Sequence, residues 1–105
     1  MVIYISAPYS IGDVSMNIRR ACLAGDELLR KGHIPFVPHL THLWHLISPK
    51  TYEEWLSIDF ELLSMCDALL RLDGESRGAD LEVAEAKRLC MIIYYDIREI
   101  PDAMS

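Results

Sequence analysis

Apolar positions along the chain switch between two periods. Val2 to Ser6 is a short run rich in β-branched and aromatic residues, suited to a strand covered on both faces. After the loop Ala7-Pro8-Tyr9-Ser10-Ile11-Gly12 the period becomes helical. Ile18, Ala21, Cys22, Gly25, Leu28 and Leu29 share one face, while Arg19, Arg20, Asp26 and Lys31 face water. Asp13 or Ser15 is placed to cap this helix, Gly25 to let it approach a sheet closely, and Gly32 to end it. Ile34 to Pro38 predicts a second strand, whose prolines put it at or near an edge.

The pattern weakens from His39 to Lys50 and then resumes. Thr51-Tyr-Glu-Glu54 is a capping box, a hydroxyl followed three residues later by a carboxylate, so a helix begins there. Trp55, Leu62, Leu63 and Cys66 form its inner face. Ala68 to Leu72 predicts a buried strand and Asp73 to Gly78 a polar turn. A helix over about Ala79 to Leu89 follows, with small inner residues such as Ala84. Cys90 to Tyr95 is the last strand, and Asp96 to Ser105 reads as a loop or frayed tail. Strands and helices thus alternate as β-α-β-α-β-α-β in one domain over residues 1–105. That order predicts an α/β fold: a small doubly wound parallel sheet of about four strands, order 2-1-3-4, with helices on both faces. The strands' C-terminal ends then gather Ala7 to Gly12, Pro38 to Thr41 and Asp73 to Gly78 on one rim, where ligands bind in such sheets.

A hydrophobic content of 51% supports a core. The net charge of −6, with no basic run, argues against a nucleic-acid polymer as partner. No apolar stretch approaches a membrane span, and Met1-Val-Ile-Tyr-Ile-Ser reads as a strand rather than a leader. The odd set Cys22, Cys66 and Cys90 falls in apolar patterns, which predicts reduced, buried thiols and a cytoplasmic location. Leu43, Trp44, Leu46 and Ile47 form an apolar segment too large for so short a chain to absorb, so a homodimer or higher homo-oligomer is expected.

Two carboxylates carry the candidate chemistry. Asp59 lies four residues after Trp55 and three before Leu62, on the apolar stripe. A charge there is costly unless it is paired or opens onto a cleft. A slightly rotated stripe would instead make it an exposed helix acid. Glu82 is expected in the first turn after the polar loop, where the helix dipole favours an ionised carboxylate; such acids are commonly only structural. Asp67 reads as a terminator of the preceding helix. His39, His42 and His45 recur every three residues, yet no acidic or cysteine ligand sits at a recognisable spacing beside them, so no metal site is expected. No Gly-rich nucleotide fingerprint, Cys-x-x-Cys pair or nucleophilic triad is present.

Taken together, Ile3-Tyr-Ile-Ser-Ala-Pro-Tyr9, the spacing of eight from Asp59 to Asp67, and Ser76-x-Gly78-x-x-x-Glu82 resemble the nucleoside 2-deoxyribosyltransferase superfamily. More narrowly, the chain resembles a small branch related to deoxynucleoside-monophosphate N-glycosidases. The resemblance implies a deoxyribosyltransferase-like, flavodoxin-like sheet and cleavage or transfer at the N-glycosidic bond of a small nucleoside or nucleotide, without a cofactor. By that match Glu82 would be the nucleophile, Asp59 the acid that handles the departing base, and Tyr9 a residue near the sugar. Ser6, Ser10, Gly12, His39, Ser76 and Gly78 would bind substrate, with Ser76 and Ser10 across the rim suited to a 5′-hydroxyl or phosphate. The other reading is a sensor module of the same fold that binds a nucleotide-like ligand without cleaving it.

Overall fold

Strand parity decides which side chains meet which helices. The computed structural model describes residues 1–103. Its four parallel strands are β1 (Val2–Ser6), β2 (Ile34–Phe36), β3 (Ala68–Arg71) and β4 (Ile92–Tyr94), in the order β2-β1-β3-β4 expected from the alternation. In register, Ile3 pairs with Ala68, Ser6 with Arg71 and Ala68 with Ile92. Successive strand residues point to opposite faces. Ile3, Ile5, Ala68 and Leu70 therefore meet Ala21, Ala24 and Leu28 of α1 (Val14–Arg30) in one core. Tyr4 and Leu69 turn the other way, to Leu63 of α3 (Tyr52–Ser64) and Val83 and Ala86 of α4 (Arg77–Arg88). The sheet is covered on both faces, and the hydroxyls of Tyr4 and Ser6 belong to the α3/α4 side.

Local chemistry fixes the element starts. The Asp13 side chain, not Ser15, caps α1 by accepting from the Met16 amide. Thr51 and Glu54 close both arms of the capping box on α3. Gly25 lies against β2: a Cβ there would sit 3.4 Å from Val37 Cγ2 and 3.5 Å from Pro35 Cβ. β2 carries Pro35 and is an edge strand, where a missing N–H leaves no ladder bond unmade. The weakly patterned stretch folds into a 3₁₀ turn, Pro38–Thr41, and the short helix α2 (His42–Ile47). No buried residue lies on α2. Among the described residues no helix is long and apolar enough to cross a membrane.

Three expectations are corrected. Helix α4 starts at Arg77, capped by the Ser76 hydroxyl on the Ala79 amide, so its inner face is Ala79, Glu82, Val83 and Ala86 and leaves Ala84 exposed. Ala79, Glu82, Val83 and Ala86 recur at three- and four-residue spacing on one stripe, and Ala84 lies off it. The thiols are not uniformly buried: Cys22 and Cys66 are half-buried and Cys90 is exposed just beyond α4. The tail does not fray over its described part, while Met104 and Ser105 lie outside the described residues. A second 3₁₀ turn, Ile97–Glu99, is capped by Asp96, and Ile100 at 1% exposure joins the α1-side core. The Ala103 amide donates to the Lys31 carbonyl at 2.7 Å, Lys31 Nζ to the Ile100 carbonyl, and His33 Nε2 to the Pro101 carbonyl. Strand β4 ends at Tyr94, and only then does the chain turn Ile97 and Ile100 inward.

If Ile100 belongs to the core, Ile100→Ala lowers unfolding free energy by about 2–4 kcal/mol, the range for truncating a buried aliphatic. Urea denaturation checks this; a loss under about 0.5 kcal/mol, typical of surface changes, would mean the tail is not packed.

Candidate functional site

The rim at the strands' C-terminal ends encloses a cleft of about 500 Å³, within the range of small-molecule sites. One wall is the loop after β1, with Ala7, Tyr9 and Ser10. The second comes from the 3₁₀ turn and α2, with His39 and His45. The third comes from α3, with Tyr52, Trp55, Leu56 and Asp59. The fourth is the turn into α4, with Ser76, Arg77, Gly78 and Glu82. Beside the cleft the loop after β1 and the turn after β3 approach closely: a Cβ on Gly74, whose φ is +117°, would sit 2.9 Å from Pro8 Cγ. A side chain there would push the two loops apart.

Glu82 is 6% exposed, and the protein supplies its solvation. Tyr4 donates its phenol to Glu82 Oε2 at 2.5 Å, and Ser6 its hydroxyl to Oε1 at 2.8 Å. Both donors come from β1, on the face that strand parity turns toward α4. Burial pushes the Glu82 carboxyl up, while the Tyr4 and Ser6 hydroxyls and the Arg71 charge pull against that rise. Burial and the adjacent Glu82 push the Tyr4 phenol far above its ordinary value, so it stays the donor. Arg71, beside Ser6 in register, binds the Gly74 carbonyl at 2.9 Å and Asp80 Oδ1 at 3.0 Å, fastening the turn that leads into α4. The helix dipole has a smaller part than the sequence suggested. Glu82 is in the second turn of α4, Asp80 holds the first, and the dipole acts mainly on the first.

Asp59 opens onto the same cleft from the opposite helix. Burial and then the Glu82 charge raise its carboxyl from 3.8 to about 7, and its Oδ1 is buried with no partner. Two carboxyls in one cleft therefore differ. One is wrapped by donors that suit an anion; the other has none and favours its protonated form.

Of the other residues singled out in the sequence, Tyr9, Ser10, His39, Ser76 and Gly78 line the cleft. Ser6 lies beneath it, reaching it through Glu82. Gly12 is not among the lining residues; it is an exposed turn glycine with φ +84° and nothing within 4 Å of a built Cβ. Asp67 accepts from the Val2 amide at 2.8 Å and fastens the start of β1. The three histidines have separate partners. His39 Nε2 donates to the Pro8 carbonyl, His42 Nδ1 meets the Tyr9 hydroxyl, and His45 Nδ1 accepts from Trp55 Nε1 at 2.7 Å. Among the described residues no group of three or more His, Cys, Asp or Glu is arranged to hold a metal ion. Reading the sequence missed Tyr4, Arg71, Lys50, Tyr52 and Arg77; the signal for Tyr4 was its parity with Ser6 on a strand leading into the rim.

Residues 1–96 match the family described as Domain of unknown function (DUF7768). No curated protein matches the sequence. Among solved structures, the fold is similar to the 2-deoxyribosyltransferase of the psychrotolerant bacterium Bacillus psychrosaccharolyticus. The TM-score is 0.65 at 18% identity, over 89% of this chain and 69% of that one. It is also similar to the 2-desoxiribosyltransferase of Leishmania mexicana, with a TM-score of 0.66 at 15% identity, over 88% of this chain and 61% of that one. At such identities the likeness is one of fold.

The raised Asp59 carboxyl has a signature in stability. An acid with a raised folded-state value binds more protons folded than unfolded between about 3.8 and 7, so stability falls as pH rises through that window. Thermal unfolding from pH 4 to 8 should show wild type losing ground to Asp59→Asn across it. A constant gap between the two melting curves would mean Asp59 is an ordinary solvated acid.

Proposed function

We propose that this chain, which belongs to the DUF7768 family, cleaves or transfers at the N-glycosidic bond of a nucleoside or nucleoside monophosphate, with Glu82 as the nucleophile. The observation that carries the reading is the pairing, in one cleft, of a donor-wrapped carboxylate with a second carboxyl whose buried Oδ1 has no partner and whose burial favours the protonated form. The fold shared with two deoxyribosyltransferases supports it.

The chemistry follows from the two environments. A Glu82 oxygen attacks the anomeric carbon as the bond to the base nitrogen breaks through an oxocarbenium-like state. The bonding pair leaves with the base, and Asp59 delivers the proton that neutralises it. The Tyr4 and Ser6 hydroxyls keep Glu82 oriented and moderate its basicity. Water or the nitrogen of a second base then attacks the glycosyl ester, giving its proton to the Asp59 carboxylate, and Glu82 leaves as a carboxylate. Tyr9 and Trp55 provide faces for sugar and base, and Ser10 and Ser76 provide hydroxyls to the rest of the ligand. No step needs a cofactor.

Glu82→Gln keeps the size of the side chain but cannot form the ester. Base release, followed by chromatography of a nucleoside and nucleotide panel, should fall by at least about a thousandfold while ligand binding persists. Turnover equal to wild type would end the glycosidic reading, and ligand binding without turnover in the wild type would favour a sensor.

The chain is also proposed to form a homodimer or higher homo-oligomer through α2 and the turn before it. Leu40, Leu43, Trp44, Leu46 and Ile47 are all exposed there, Ile47 at 83%. Contiguous apolar surface of this kind is the usual mark of an interface. Light scattering at micromolar concentration should give at least twice the 12.0 kDa chain mass, and Ile47→Glu should reduce it. A monomeric wild type would refute the interface.

A further inference from the structure

We propose that His39, His42 and His45 are positioning residues: three imidazoles on one stripe that hold two aromatic walls of the cleft, Tyr9 and Trp55, in place. The inference rests on the glycosidic reading only for the identity of the ligand that those walls receive.

The stripe follows from spacing. Residues three apart stack along a 3₁₀ turn and stay on one side of an α-helix. His39 is buried and His42 and His45 are half-buried, while Leu40, Leu43 and Leu46 form a parallel, exposed stripe. No buried residue lies on α2, so apolar burial does not fasten it to the body. Each imidazole instead makes a bond to the loop after β1 or to α3. His39 Nε2 donates to the Pro8 carbonyl at 2.9 Å, His42 Nδ1 accepts from the Tyr9 hydroxyl, and His45 Nδ1 accepts from Trp55 Nε1 at 2.7 Å.

The partners decide where each ring carries its proton. An indole N–H only donates, so His45 Nδ1 is the bare nitrogen; the Lys50 amide donates to the same atom at 3.3 Å. Burial pushes the Tyr9 phenol up, so it keeps its proton and directs it at His42. A carbonyl only accepts, so His39 carries its proton on Nε2. Its Nδ1 is buried without a partner, and burial pushes the ring below its ordinary value against the pull of the Pro8 and Ala7 carbonyls. Two rings thus serve as Nδ1 acceptors and the third as an Nε2 donor.

The consequence falls on the walls. Asn17 ties one side of the loop after β1 to α1, through the Tyr9 and Ile11 carbonyls at 2.8 Å each. The histidines hold its other side, His39 at Pro8 and His42 at the Tyr9 hydroxyl. The Tyr9 ring is edge-on to both, with centres 5.7 and 5.6 Å apart. Trp55 is edge-on to His45 at 5.8 Å, and the bond between them fixes the rotation of the indole. Without these bonds both rings are free to change rotamer, and the cleft loses its fixed faces.

Each site has its own rescuing substitution. Asparagine places an amide oxygen where Nδ1 stood, and glutamine an amide nitrogen where Nε2 stood. Nuclear magnetic resonance reads the first consequence without any ligand. The Trp55 indole proton should stay protected from solvent exchange in His45→Asn and lose about tenfold or more of that protection in His45→Leu. Calorimetry with the four 2′-deoxynucleosides on Glu82→Gln reads the second. Adding His42→Asn, His45→Asn or His39→Gln should leave affinity within about threefold, whereas His42→Leu, His45→Leu or His39→Asn should weaken it about tenfold. His39 is buried, so if its variants fail to fold, the pairs at His42 and His45 decide. Equal protection of the Trp55 indole in His45→Asn and His45→Leu would overturn the proposal, as would the same loss of affinity from both members of each pair. The expected indole pattern, with no deoxynucleoside bound and no base release by the wild type, would refute the glycosidic reading alone.

Discussion

A carboxylate taken out of water must be solvated by the protein or lose its charge. Glu82 is taken out of water by α4 packing on the sheet, and the two hydroxyls that receive it are two residues apart on β1. This fixes more than one side chain. It requires β1 to lie centrally, with Tyr4 and Ser6 on the α3/α4 face, and it requires α4 to sit in a rotation that turns Glu82 rather than Ala84 inward. A one-residue slip of β1 would put Ile3 and Ile5 against the carboxylate and expel both hydroxyls into the other core.

The same packing sets Asp59 apart from Glu82. The two carboxyls share an apolar cleft, so their charges raise the cost of ionising both. Hydrogen-bond donors are on one side only, which favours the ionised form of Glu82 and leaves burial to favour the protonated form of Asp59. Arg71 adds to the asymmetry from below while fastening the turn that carries Ser76 and Gly78. Electrostatics and loop geometry thus depend on one buried side chain, which is 9% exposed.

Much of this could be read in the sequence, for identifiable reasons. The sheet order follows from strand–helix alternation and from prolines that confine β2 to an edge. Asp59 stood out because a charge on an apolar stripe needs a reason. Glu82 was located, but its environment was misjudged: a helix start two residues early moved it out of the first turn, so tertiary hydroxyls rather than the dipole surround it. Tyr4 was hidden because a tyrosine in a buried strand looks like core, and only the partner across α4 gives its hydroxyl meaning. Ile100 was hidden because a single apolar residue after a polar stretch has no period. Gly12 shares the rim loop in sequence, yet the loop has already turned outward when it reaches that residue.

The aromatic cluster at the cleft mouth has an optical consequence. Trp44 and Trp55 are the chain's two tryptophans, and their rings are 5.2 Å apart and nearly perpendicular. Trp55 also bonds His45 and lines the cleft, with the Lys50 ammonium close to both indoles. All indole emission of the molecule thus arises at a single locus, in direct contact with a charge and an imidazole that quench or shift it. Intrinsic fluorescence, which in most proteins averages over unrelated positions, here acts as a local probe of what occupies the mouth of the cleft.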